Sequence, residues 1–357
     1  MTIMAKNRLL PDDDSADPSD GPYDIKPLHE PWFLAAEDPI TFDESPLPRA
    51  DQTVLMDPRD WAAAEAELAG PLAAVAMLFG ALDQRLRSAP LGWRHRLALL
   101  EAAELSWWVG DRIGIDRLAL WDALRLAGVQ NDSQALGRMG WALRRLGGGA
   151  TLQISSSSLA AFLGRYGPSD AANDRVEDLM DLLRGAAHMH PITIAAIAFH
   201  GWRMLGEGGQ VTEIEAAVLA ACLASGMGRG HPQGWGAVFM PIAISGFAAG
   251  SGGSVLDRLI RWLRGAERAT LAALLHLERL SDWQINAETT LADLQGRTPP
   301  RLIQVLAEWP MVTAPMAEAI TKASRASVQR NLLLMQTRGL IREVTGQGRY
   351  RVWTAKF

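Results

Sequence analysis

The stretch that decides the fold of this chain is its C-terminal segment, residues 299–357, PPRLIQVLAEWPMVTAPMAEAITKASRASVQRNLLLMQTRGLIREVTGQGRYRVWTAKF. At its start, Leu302, Val305 and Leu306 recur at the spacing of one face of an α-helix, and Pro310 ends that pattern. The segment therefore predicts a first short helix with one buried face.

A second helix is predicted to begin at Thr313, whose side chain is suited to cap it, with Pro315 in the first turn. The apolar residues that we expect to face inward from this helix are Met316, Ala319 and Ile320. A short turn follows and ends at Ser324, which is the expected N-cap of a third helix.

The third helix combines an apolar stripe with a polar face. Val328, Leu332 and Met335 are spaced i, i+4 and i+7, so we expect them to be buried, and Gly339 ends the helix. The polar face of its first turns carries arginine, serine and glutamine side chains.

After Gly339 the pattern changes from helix to strand. Ile341, Val344 and the run RYRVW at 349–353 flank the turn sequence Thr345-Gly346-Gln347-Gly348, which predicts a small β-hairpin. Three helices followed by a two-stranded hairpin is the order of a winged helix-turn-helix. In that arrangement the third helix enters the major groove of duplex DNA with its N-terminal residues at base edges.

The distribution of charge supports a nucleic-acid partner. The whole chain has a net charge of −5, but residues 301–357 hold nine basic and three acidic side chains. The first sixty residues hold five basic and fourteen acidic ones. Such an asymmetry between the two ends is typical of a protein with one nucleic-acid-binding module.

We therefore predict that the chain binds double-stranded DNA through the third helix and the hairpin. Arginine suits guanine and glutamine suits adenine in the major groove, whereas hairpin arginines would contact phosphates or the minor groove. The residues predicted to contact DNA are Ser324, Arg325, Ser327, Gln329, Arg330, Arg342, Arg349 and Arg351. The alternative is a protein-interaction module whose arginines only solvate its surface.

The rest of the chain divides into an acidic, Pro-rich arm at 1–55, predicted to be extended or disordered, and a long helical body. Helical periodicity predicts an N-terminal helical region at 56–150 and a helical core at 151–298, so the fold class is mostly α. The one cysteine, Cys222, cannot form an intramolecular disulfide, and its apolar surroundings predict a buried residue.

Two stretches of the chain resemble the Fic-domain family, whose members typically transfer AMP from ATP to a hydroxyl side chain. Many bacterial members end in a winged helix, and the ending RGLIREVTGQGRYRVW at 338–353 is similar to theirs. Upstream, HPITIAAIAFHGWRMLGEGGQVTEIEAAVLAACLAS at 190–225 is similar in layout to the helix–loop–helix that holds their active site.

The residues that carry Fic chemistry are not matched. The family motif is His-Pro-Phe-x-(Asp/Glu)-Gly-Asn-Gly-Arg-x-x-Arg, and the corresponding stretch here, 202–211, is WRMLGEGGQV. Glu207 could replace the metal-binding acid, but the histidine that acts as general base and the phosphate-binding arginine are absent, and His200 lies upstream on the helix. The resemblance thus implies a degenerate, non-catalytic scaffold, with an AMP transferase of altered active site as the alternative.

The overall layout also resembles a poorly characterised group of bacterial, often plasmid-borne proteins with a helical N-terminal region and this type of helix-turn-helix end. It implies DNA binding, and it leaves open a DNA-tethered interaction protein for plasmid maintenance or transfer.

No catalytic residue, metal site or cofactor is assigned. The pair His188-x-His190 is a weak metal candidate, because no carboxylate or cysteine pattern accompanies it.

Apolar segments of the chain bear on its localisation and assembly. The apolar stretch GAVFMPIAISGFAAG at 236–250 is short and contains Pro241, so it predicts a buried helix pair or loop rather than a membrane span. We expect a cytoplasmic protein without membrane contact. Because winged helices commonly bind two half-sites as dimers, we expect a homodimer, with contacts in the Ala/Leu-rich helices at 61–87 or 254–283.

Overall fold

The computed structural model describes residues 56–126, 133–148, 152, 154–164, 170–206, 208–226, 236–247, 250, 252–346 and 351–357. The predicted acidic arm at 1–55 lies outside these residues, as do Glu207 and Arg349. The chain from Asp51 to Phe357 forms one compact unit. The predicted boundaries at 150 and 298 stay predictions.

The described residues form a mostly α fold, as the periodicity predicted. Its helices are α1 (Pro58–Glu67), α2 (Ala69–Ser88), α3 (Leu91–Trp108), α4 (Ile115–Leu126), α5 (Gln134–Leu146), α6 (Ser156–Leu163), α7 (Asp170–Gly185), α8 (Pro191–Leu205), α9 (Gly209–Ala224), α10 (Val255–Thr290), α11 (Thr298–Glu308), α12 (Ala314–Thr321) and α13 (Arg325–Thr337). Its strands are β1 (Val312–Thr313), β2 (Ile341–Glu343) and β3 (Val352–Ala355).

The centre of the body is the antiparallel pair α8 and α9. Nearly every residue from Ile192 to Trp202 and from Ile214 to Ala224 is buried, because both helices are rich in alanine and aliphatic residues on all faces. Cys222 is buried as predicted, and burial raises the pKa of its thiol to about 12, so the thiol stays protonated at neutral pH.

Side-chain caps set the starts of several helices. Asp57 accepts the N–H of Arg59 at the start of α1, and Ser254 and Asp257 form a capping box that begins the 36-residue helix α10. His190 caps α8: its Nδ1 accepts the N–H of Ile192 at 3.2 Å. One histidine of the weak metal candidate His188-x-His190 therefore caps a helix.

The described part of the apolar stretch, residues 236–247, is an irregular, largely buried segment whose backbone N–H groups are accepted by two carboxylates, Asp83 at Ala237 and Glu101 further on. Glu101 on α3 is fully buried, and it accepts the N–H groups of Ile242 and Ala243 at 2.9 Å and of Ile244 at 3.1 Å. No single helix in the described ranges is long and apolar enough to cross a membrane, although the bent pair α1 and α2 passes that test by length and composition.

The segment from α11 onward, residues 298–357, contains α11, α12, α13 and a three-stranded antiparallel sheet of order β1-β3-β2, and we refer to it as the C-terminal domain. The predicted hairpin is β2 and β3, with Ile341 opposite Ala355 and Glu343 opposite Trp353. Strand β1 was not predicted. Val312 pairs with Trp353, because the residues that lead into the cap at Thr313 are extended and lie along the free edge of β3.

The buried faces of the three C-terminal helices agree with the predictions except in α12. The residues buried as predicted are Leu302, Val305, Leu306, Val328, Leu332 and Met335. In α12, Ala319 and Ile320 are exposed, so their predicted inward orientation was wrong. The buried residues are Ala314, Ala317 and Thr321, which are spaced i, i+3 and i+7 and face the neighbouring helices.

The C-terminal domain is joined to the body at the end of α11. Arg96 on α3 is buried, and its guanidinium donates to the carbonyl oxygens of Leu306, Ala307 and Trp309 at 2.5, 2.7 and 2.9 Å. A cation there satisfies carbonyls that the helix end leaves unpaired. On the other side, the indole N–H of Trp283 on α10 donates to the carbonyl oxygen of Leu340 at 2.8 Å.

Candidate nucleic-acid interface

A tight turn connects α12 to α13. Lys322 ends α12 in the left-handed conformation, with φ of 55°, and its side chain is exposed. Two residues later Ser324 caps α13, its hydroxyl oxygen accepting the N–H of Ser327 at 3.3 Å. Both N-caps predicted in this domain, Thr313 and Ser324, are therefore confirmed.

The first two turns of α13 present a polar, basic face to solvent. Ser324, Arg325, Gln329 and Arg330 are all exposed on these turns. The Arg325 side chain is 74% exposed and lies 4.0 Å from a carboxylate oxygen of Glu318, a separation at which an exposed ion pair is weak. This face carries its donors next to the helix N-terminus, where the backbone dipole also favours anions.

Ser327 lies at the edge of this face and is turned away from it. Its hydroxyl donates to the hydroxyl oxygen of Thr298 at the start of α11, at 3.1 Å, and the residue is only half-buried. The structure therefore brings together four of the five helix residues predicted to contact DNA, and it ties the fifth to α11.

The hairpin places its arginines differently. Arg342 on β2 is exposed, but its guanidinium forms an ion pair at 3.1 Å with Asp116, in the first turn of α4 in the body. Arg351 is exposed just before β3, and Arg349 lies outside the described residues.

Sequence reasoning missed two further residues of this surface. Lys322 is exposed in the turn that precedes α13, and Leu333, 47% exposed, follows Gln329 by one helical turn on the same face. An exposed aliphatic side chain in a major groove can contact the methyl group of thymine. The sequence could have indicated Leu333, because its spacing of four residues from Gln329 places it on the polar face and not in the buried stripe of Val328 and Leu332.

Two other basic residues of the domain are engaged by protein groups, Arg301 within the domain and Arg338 where the domain meets the end of α10. Arg301 donates to the carbonyl oxygen of Thr321 at 2.7 Å and so caps the end of α12. Arg338 forms a bidentate ion pair with Asp293 and also donates to the carbonyl oxygen of Thr290. Some of the basic side chains that give the domain its positive charge are therefore engaged by protein groups, and only the others can contact a ligand.

Comparison with known proteins agrees with this geometry. Residues 299–355 match a protein-family model described as an HTH DNA-binding domain. The C-terminal domain is a helix-turn-helix DNA-binding domain. The match covers this domain alone, so the predicted Fic-like character of the body stays a prediction. No curated protein matches the chain.

The segment compared with the Fic motif, residues 202–211, runs from the end of α8 into the start of α9, and Glu207 within it lies outside the described residues. His200 is buried beside the rings of Trp61 and Phe199. Burial, together with Arg258, Arg203 and Arg261, lowers its pKa to about 3, so the imidazole is uncharged at neutral pH. In the described part of the chain, no group of three or more His, Cys, Asp or Glu side chains is arranged to hold a metal ion.

Proposed function

We propose that this protein is a cytoplasmic, homodimeric transcriptional regulator that binds duplex DNA through a winged helix-turn-helix on a non-catalytic helical body. The observation that carries the proposal is the exposed face of α13, on which Arg325, Gln329 and Arg330 project from the first two turns. In this proposal α13 enters the major groove, and the hairpin of β2 and β3 is the wing.

The chemistry of the face fits base recognition. The guanidinium groups of Arg325 and Arg330 can each donate two hydrogen bonds to a guanine, and the amide of Gln329 can pair with an adenine. On the wing, Arg342 and Arg351 would contact phosphates, which fix the orientation of the protein on the duplex without reading its sequence. The turn residue Lys322 would add a further phosphate contact.

The test is DNA binding measured by fluorescence anisotropy as a function of salt, on random duplex and on the region upstream of the protein's own gene. Wild type is compared with Arg325→Ala/Arg330→Ala. The matched control is Arg59→Ala/Arg184→Ala, which removes two exposed arginines from α1 and α7 in the body. Urea unfolding of each variant shows that the fold is retained.

We expect wild-type affinity to fall steeply with salt, because each phosphate contact releases counterions. The Arg325→Ala/Arg330→Ala variant should lose its preference for the upstream duplex, by roughly tenfold or more for each base contact removed. The control should stay within about twofold of wild type, as surface charges remote from the interface predict. If wild type shows no affinity for any duplex at low salt, the domain is a protein-interaction module and the proposal is wrong.

A further inference from the structure

The long helix α10 has one face that the rest of the molecule leaves uncovered. Its buried side packs against α1, α2, α8 and α11, with Leu259, Trp262, Leu277 and Leu280 in the core. On the opposite side Leu271 and Leu275 are 47% and 45% exposed. Two neighbouring leucines in the middle of a 36-residue helix form an apolar spot without a partner in the described structure.

Charged residues flank this apolar spot with opposite signs. On its N-terminal side Arg264 and Arg268 are exposed, and on its C-terminal side Glu278 and Asp282 are exposed. Arg268 also donates to the carbonyl oxygen of Gly246, and the exposed residues Glu267 and Arg279 lie beside this set, one before and one after the leucines. At about 100° per residue, Arg264 and Asp282 are five full turns apart and project in the same direction, with Leu271 and Leu275 about 20° to either side of it. The six residues therefore form one stripe.

We propose that this stripe is the homodimer interface, and that α10 of one copy packs antiparallel on α10 of a second copy. When two such helices are related by a twofold axis at the level of Ala273, Leu271 faces Leu275 of the second copy. In the same register Arg268 faces Glu278 and Arg264 faces Asp282. The inference rests on the homodimer in the proposed function, but not on its DNA binding.

The pattern fits a second copy of this chain because a twofold interface must be complementary to itself. Basic residues at one end of the stripe and acidic residues at the other satisfy this condition only in the antiparallel arrangement. Within one helix, Arg264 and Arg268 are like charges at i and i+4, as are Glu278 and Asp282, and such pairs repel each other. Each pair gains opposite charges from the second copy.

The arrangement also suits a protein that binds two half-sites. Trp283 anchors α10 to the C-terminal domain, ten residues beyond the proposed axis. Since a helix rises 1.5 Å per residue, the two Trp283 side chains would lie about 30 Å apart along the paired helices. That distance is of the order of one turn of DNA, about 34 Å, the usual separation of half-sites.

The test is the mass of the full chain in solution, measured without DNA by sedimentation equilibrium, for wild type and five variants. Leu275→Glu places a charge in the apolar centre. Arg264→Glu and Asp282→Arg each reverse one charge, and Arg264→Glu/Asp282→Arg reverses both. Met77→Glu, at a residue 74% exposed on α2, examines the other helix region expected to mediate dimerisation.

We expect wild type to sediment at twice the chain mass of 38.8 kDa. Leu275→Glu should weaken the dimer about 100-fold, and each single reversal about tenfold, because two symmetry-related pairs become repulsive at once. The double reversal should return the dissociation constant to within about threefold of wild type, which only facing residues would do. Met77→Glu should remain dimeric.

Three outcomes would overturn the interface: a monomeric wild type, a double reversal no better than the single ones, or loss of the dimer in Met77→Glu but not in Leu275→Glu. Circular dichroism of each variant separates loss of the dimer from loss of the fold. Because no DNA is present, failure here leaves the proposed DNA binding untouched, and failure of DNA binding leaves this result untouched.

Discussion

Glu101 carries a carboxylate into the centre of the molecule, where it holds the backbone of residues 242–244. Burial raises its pKa to about 7, and the three N–H groups that it accepts oppose this shift. The folded state therefore binds more protons than the unfolded state between about pH 4.5 and pH 7. The stabilising contribution of Glu101 is complete below this window and is lost as pH rises through it.

A Glu101→Gln variant should reveal this titration. At pH 5 it should be less stable than wild type, since its amide nitrogen cannot accept an N–H and leaves one buried donor unpaired, at about 1–3 kcal/mol. Between pH 5 and pH 8 that difference should shrink by on the order of 2–3 kcal/mol, because only wild type must ionise a buried carboxyl. Urea unfolding at each pH gives the free energies.

The difference between the two proteins is the informative quantity, since His200 and His276 have lowered pKa values and add a pH dependence of their own. That contribution is common to both proteins and cancels. Glu67→Gln, on an exposed part of α1, is the control and should run parallel to wild type. A difference that does not change with pH would show that Glu101 does not titrate in this range.

Between helices, the body and the C-terminal domain approach each other closely at Gly92. A β-carbon at this position of α3 would lie 2.5 Å from the β-carbon and 2.6 Å from the carbonyl oxygen of Glu308, at the end of α11. Arg96, one turn further on, donates to the carbonyls at the same helix end. The absence of a side chain at Gly92 lets α3 and α11 approach closely, and the hydrogen bonds of the buried Arg96 hold them together.

Replacing Gly92 by alanine should therefore destabilise the protein, although alanine favours helix. We expect a loss of about 1–3 kcal/mol in the free energy of unfolding, as for other overpacked sites. Gly80→Ala is the matched control: Gly80 also lies within a helix, but its added β-carbon would meet no atom within 4 Å. It should gain about 0.5–1 kcal/mol from helix propensity. Thermal unfolding of both variants checks the opposite signs.

At the scale of the whole molecule, the body touches the DNA-binding surface through the ion pair between Asp116 and Arg342. Both side chains are about half exposed, so the pair contributes little to stability. It does, however, engage the guanidinium that the proposed wing would present to a phosphate. Arg342 cannot contact both partners fully, and DNA would have to displace Asp116.

The Asp116→Asn variant should consequently bind DNA more tightly. We expect up to about fivefold higher affinity at low salt, with a salt dependence steeper by about one phosphate contact. The control is Asp293→Asn, which removes the same charge from the ion pair with Arg338, a residue that the geometry assigns to structure. Equal gains in both variants would mean that only net charge changed. Anisotropy titrations at several salt concentrations distinguish these results.

The sequence by itself was sufficient for the elements of the C-terminal domain. The spacing of Val328, Leu332 and Met335, the capping residues Thr313 and Ser324, and the end of α13 at Gly339 are local features, and the structure confirms them. The helical class of the body followed for the same reason, because periodicity of apolar residues reflects which face of a helix is buried. The charge asymmetry of the chain likewise needed no coordinates.

Only the tertiary structure decided how these elements are used. The buried face of α12, the added strand β1, the hydrogen bond of Ser327 to Thr298 and the ion pair of Arg342 with Asp116 all depend on residues distant in sequence or on neighbouring elements. The exposed stripe of α10 belongs to the same class, since a leucine in an amphipathic helix is expected in the core until packing shows which side is covered. Local patterns specify a helix and its ends; which of its side chains remain available for a partner is set by what packs against it.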